Sequence, residues 1–84
     1  MMEYKDILAQ LYEELASFTH GRVAVDEETE LAGQLDLDSL QIMNLLLFIE
    51  DRFDISIPVS ILPDIKTVKD LAIQVEKLIQ SSEA

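Results

Sequence analysis

The chain has 84 residues, 49% of them hydrophobic, with 17 acidic and 6 basic side chains and a net charge of −11. That length holds one compact core and not two, and that apolar content excludes a disordered chain. The charge repels phosphate backbones and anionic membranes, so nucleic acid and membrane insertion are not expected, and a Lys/Arg-rich protein is the favoured partner.

The absence of cysteine rules out a disulfide, a thiolate metal site and a thiol nucleophile, and leaves the fold to its apolar core. Residues 1–6 place an acid and a base ahead of any apolar segment, unlike a secretory signal. The longest apolar run, Leu45 to Ile49, is too short to cross a bilayer. A cytoplasmic monomer is expected.

Tyr4, Ile7, Leu8, Leu11, Tyr12, Leu15 and Phe18 recur at helical spacing among polar residues, which predicts an amphipathic helix over 3–18, ended by Gly21. From 19 to 37 the periodicity lapses into an acid-rich stretch containing Val23, Val25, Leu31, Leu35 and Leu37. Those five apolar residues predict an ordered loop pinned to the core.

Asp38, with Gln41 three residues on and an apolar run behind it, has the pattern of a capping box, so a second helix is expected over 39–53. Asp54 to Pro58 reads as an extended connector, and 59–62 as a single helical turn before Pro63. Thr67 and Asp70 form another capping pair, followed by a stripe of Val68, Leu71, Ala72, Val75, Leu78 and Ile79. That predicts a last helix over 68–80 and a frayed tail from Ser81 to Ala84. The expected fold is all-α: one domain over 1–84, a small bundle of three main helices and one short turn, four helical elements in all.

The second helix has more apolar residues than one packed face requires. Ile42, Leu45, Leu46, Ile49 and Phe53 complete a core stripe, which leaves Leu40, Met43 and Leu47 at i, i+3 and i+7. This second stripe starts beside Ser39, is flanked by Gln41 and Asn44, and reads as a docking face for a partner unless the loop or the short turn covers it. Phe48 lies between the stripes and is assigned to neither.

Ser39 in the first turn, behind Asp38, has the ordinary look of a helix end. No nucleophile elbow or ordered triad accompanies it, and the single histidine, His20, reads as an exposed loop or helix-end residue. With two glycines there is no glycine-rich phosphate loop, and the acids lack calcium-loop or His-x-x-Glu spacing. Hydrolase, kinase and metal-site chemistry therefore lack support. A phosphodiester on Ser39 would suit the positive end of the helix dipole.

Asp38-Ser39-Leu40 resembles the Asp-Ser-Leu motif of the acyl carrier protein family, which serves fatty acid, polyketide and nonribosomal peptide synthesis. Leu45-Leu46 and Ile49-Glu50-Asp51-Arg52-Phe53 resemble its second helix, Ile55-Ser56-Ile57-Pro58 its connector, and Ile65 to Leu71 the start of its last helix, so that the likeness covers about residues 31–79. The resemblance implies 4'-phosphopantetheine attached to Ser39 by a phosphopantetheinyl transferase, with Asp38 as motif residue and helix cap. It also implies acyl cargo held as a thioester, and a carrier that catalyses nothing itself. Partners would be that transferase, an acyl- or aminoacyl-activating ligase and downstream transferases or synthases. They would dock on Leu40, Gln41, Met43, Asn44 and Leu47.

Two departures are informative. Asp36 and Leu37 replace the glycine and the usual small residue of a Gly-x-Asp-Ser-Leu motif, so the loop before the serine should be shaped differently. Gln41 and Asn44 stand where fatty acid carriers resemble one another in having acids, which favours apolar contact through Met43 and Leu47 and a specialised pathway. The run from Ile49 to Ser60 is similar to that of D-alanyl carrier proteins, so aminoacyl, D-alanyl or peptidyl cargo stands beside a fatty or polyketide chain. An unmodified acidic interaction module is the reading from a different class.

Overall fold

The computed structural model describes residues 3–19 and 24–83; the expectations for His20, Gly21, Val23 and Ala84 fall outside them. Three α-helices and one 3-10 segment follow in order: α1 (Tyr4–Thr19), α2 (Ser39–Phe53), the 3-10 helix (Val59–Asp64) and α3 (Val68–Glu83). The all-α bundle read from periodicity is the observed architecture.

Each long helix buries the stripe its sequence spacing defines. Ile7, Leu8, Leu11 and Leu15 of α1 meet Ile42, Leu45, Leu46 and Ile49 of α2 and Leu71, Ala72, Val75 and Ile79 of α3 in one core. Tyr4, Tyr12, Phe18, Phe53 and Leu78 pack at its margin, half-buried. Removing a Leu or Ile side chain from water stabilises by about 1.5–3 kcal/mol, so these stripes hold the helices together. On the solvent side, the Arg52 guanidinium of α2 donates to Gln10 and Glu14 of α1 at 2.8 and 2.7 Å, and also to Glu13.

The loop between α1 and α2 is part of the core. Leu31, Leu35 and Leu37 are buried and Val25 packs, half-buried, against the core. Its backbone is also tied to the segment before α3: the Leu31 N–H donates to the Lys66 carbonyl at 2.9 Å, the Val68 N–H to Thr29 at 3.0 Å and the Lys69 N–H to Glu27 at 3.0 Å. Glu30 and Thr67 thereby form an isolated antiparallel bridge. The one buried polar side chain among the described residues, Thr29, is satisfied locally: its hydroxyl accepts from the Asp26 N–H at 2.9 Å and donates to the Asp26 carboxylate at 3.2 Å.

Three ends differ from the sequence expectation. α1 runs from 4 to 19 and not 3 to 18, its last residue bonding back through the Thr19 hydroxyl to the Leu15 carbonyl at 3.0 Å. The short turn does not stop at Leu62 but includes Pro63 and ends at Asp64. The fixed φ of proline lies within the 3-10 range, and the i→i−3 bonds here come from Ile61 and Ile65, so no donor is missed. α3 continues through Ser81 to Glu83, because no glycine or proline follows Ile79 to stop it.

Candidate attachment site and docking face

Local chemistry sets the start of α2. Asp38 is the N-cap in extended geometry (φ −83°, ψ 177°), and its carboxylate accepts the Gln41 N–H at 2.8 Å. The Gln41 side chain returns the contact by accepting the Asp38 N–H at 3.1 Å, which completes the capping box. Ser39 is therefore the first helical residue, and it is exposed. Among the described residues no carboxylate or imidazole bonds its hydroxyl, and none of them form a metal-holding cluster. The geometry offers an accessible hydroxyl beside the unpaired N–H groups of a helix end, a setting that favours an attached anion.

The segment leading into Ser39 explains both departures from the carrier motif. Leu37 is buried, so the larger side chain fills core space. Asp36 has a φ of 55°, the left-handed region that glycine enters freely and other residues enter at a cost. Asp36 thus takes a backbone conformation that favours glycine without being one.

Beyond Ser39, the second stripe of α2 is uncovered. Leu40, Met43 and Leu47 are 67%, 40% and 61% exposed, and Gln41 and Asn44 lie exposed beside them. Sequence reasoning left Phe48 open; its ring is 56% exposed and meets Phe18 edge-to-face, with centroids 5.7 Å apart. It missed Val59, exposed at the start of the 3-10 helix, and the role of Glu50. The Glu50 carboxylate accepts the Ile57 N–H at 2.6 Å, which holds the connector against α2 and leaves a cavity of about 80 Å³ between Met43, Leu47, Ile57 and Val59. Counting a helical side chain that bonds a loop four residues past the helix end would require knowing how the chain folds back. No local signal marked it.

Comparison with known proteins agrees with this geometry. The family model described as "Phosphopantetheine attachment site" matches residues 7–75, most of the chain, with Ser39 inside the match. An acyl carrier protein of Thermobifida fusca is 32% identical over 75 residues, covering 89% of this chain and 92% of that protein. A probable acyl carrier protein of Caulobacter vibrioides is 42% identical over 50 residues, 60% of this chain and 58% of its own length. The crystal structure of an acyl carrier protein from Thermotoga maritima superposes with a TM-score of 0.77 at 34% identity, covering 95% of this chain and 94% of that one. No helix of the described residues is long and apolar enough to cross a membrane. On family match, relatives and fold together, the chain belongs to the acyl carrier proteins, phosphopantetheine-dependent carriers and not enzymes.

Proposed function

We propose that Ser39 is the residue to which 4'-phosphopantetheine is joined, and that the chain presents acyl intermediates on that arm to partner enzymes. The observation that carries this reading is the exposed hydroxyl of Ser39 at the first turn of a capped helix, within the matched family region. When bound, the arm supplies a terminal thiol on which cargo is held as a thioester.

The protein's own contribution is to hold and present. The Asp38–Gln41 box stops fraying at the turn that carries Ser39, and the helix N-terminus favours the phosphodiester charge. In the proposed transfer from coenzyme A the Ser39 oxygen takes the phosphopantetheine phosphate, adenosine 3',5'-bisphosphate leaves, and the serine proton passes to the transferase or to solvent, since among the described residues no base bonds the Ser39 hydroxyl. Leu40, Gln41, Met43, Asn44 and Leu47 form the adjoining face for partners. Once docked, a tethered cargo reaches the partner's site at high effective concentration. The reading includes a cytoplasmic, monomeric carrier, in keeping with the cysteine-free, strongly acidic sequence.

A second reading of the cargo, aminoacyl, D-alanyl or peptidyl, takes its support from the uncharged Gln41 and Asn44 on the docking face. Intact mass before and after incubation with coenzyme A and a broad-specificity phosphopantetheinyl transferase, with peptide mapping, tests the attachment. The wild type should gain the arm on Ser39, and Ser39→Ala should gain nothing while keeping its helical signal. An unmodified wild type would leave the unmodified interaction module as the better account, and a modified Ser39→Ala would overturn Ser39 as the attachment residue.

A further inference from the structure

From Ser39 to Ile49, α2 has no ionisable side chain, although the chain as a whole carries −11. The large apolar side chains exposed among the described residues are Leu40, Met43, Leu47, Phe48 and Val59. Four of them lie on α2, and Val59 lines the same cavity as Met43 and Leu47, so they make one surface. Charge returns at the two ends of this surface. Asp36 and Asp38 are exposed before its start, and Asp51, exposed one turn beyond Leu47, closes it beside the half-buried Glu50, which lines the cavity and whose carboxylate accepts the Ile57 N–H. Asp51 lies thirteen positions after Asp38, which at 1.5 Å per residue is about 20 Å.

We infer that partner enzymes, the transferase among them, meet α2 through a surface that is apolar and uncharged at its centre, with cationic side chains confined to two positions about 20 Å apart. This rests on the carrier reading and adds the chemistry of the partner. A lysine or arginine set opposite Met43 or Asn44 would be stripped of water with no counter-charge to meet it. The same residue opposite Asp36 and Asp38, or opposite Asp51, finds a carboxylate at the solvated rim. A second copy of this chain does not fit. Parallel or antiparallel, pairing two such faces brings the carboxylates at their ends together, and the two chains repel overall.

The sign of the effect of added charge decides the matter. The full chain and the Gln41→Glu/Asn44→Glu double variant are compared as substrates of a phosphopantetheinyl transferase, with far-UV circular dichroism as the folding control. Both positions are exposed, and glutamate at position 41 preserves the capping box. The double variant should raise KM for the carrier about tenfold, because two carboxylates must be desolvated against an apolar surface. The wild-type KM should change less than about threefold between roughly 50 and 500 mM salt, and Asp51→Asn should raise KM at low salt only. A double variant with a lower KM that salt abolishes would show a basic partner centre and overturn the inference while leaving Ser39 modification intact. An unchanged KM in the double variant would overturn it equally, since the face would not be in contact. Failure of the wild type to be modified at all would remove the carrier reading and this inference with it.

Discussion

Replacing Leu31 with alanine asks whether the segment that delivers the chain to Ser39 is held by the core or by its backbone bonds. Leu31 lies in a loop, yet it is fully buried, its N–H donates to Lys66, and its carbonyl accepts from Leu37, two residues before Ser39. Leu→Ala changes in packed interiors cost about 2–5 kcal/mol, and a loop site, which collapses more readily than a helix interface, belongs near 3 kcal/mol. An 84-residue domain has a total stability of about 4–13 kcal/mol. At roughly 4–8 °C per kcal/mol the variant should melt about 12–24 °C below wild type. Urea titration followed at 222 nm should show the midpoint falling while the slope is unchanged. Leu40→Ala is the matched control, the same truncation at a side chain 67% exposed, and should stay within about 0.5 kcal/mol of wild type. A loss below about 1 kcal/mol at Leu31 would refute the reasoning and show that the backbone bridges to Lys66 and Thr67 suffice.

Two further outcomes follow from backbone and ionisation. Asp36 sits at φ 55°, so Asp36→Gly should match or exceed wild-type stability, whereas Asp36→Val should lose about 1–2 kcal/mol in thermal or urea unfolding; equal losses in both would sink the account of that turn. Desolvation, then the hydrogen bond donated to Glu27 at 2.7 Å, push the Tyr4 phenol up to about 12 from 10.0. The unfolded phenol ionises near its ordinary value while the folded one keeps its proton, so stability is lost as pH rises between these values. Melting temperature should fall through that window and fall less steeply in Tyr4→Phe, with Tyr12, raised mainly by burial, contributing a remainder; parallel slopes would count against the Tyr4–Glu27 contact.

What could be read from residues alone was set by short-range chemistry. The Asp38–Gln41 and Thr67–Asp70 boxes are bonds between residues three apart, so their sequence pattern and their geometry are nearly one fact. The stripes of α1, α2 and α3 were legible because helical spacing alone brings such residues to one side. For the same reason Ser39 could be placed at the first turn and Leu40, Met43 and Leu47 on a separate stripe. Tertiary structure decided which apolar surface stays uncovered, since burial depends on what packs opposite. Phe48 meets Phe18 yet remains half open, and Val59 extends the apolar surface from another element. It also decided contacts between residues far apart in the chain, Arg52 with Gln10 and Glu14, Glu50 with Ile57, and Thr29 with Val68. Local sequence determined the helices and their capped starts because those bonds close within one turn. The uncovered apolar face and the left-handed turn at Asp36 were decided by how the loop and connector close over the bundle, which no single segment specifies by itself.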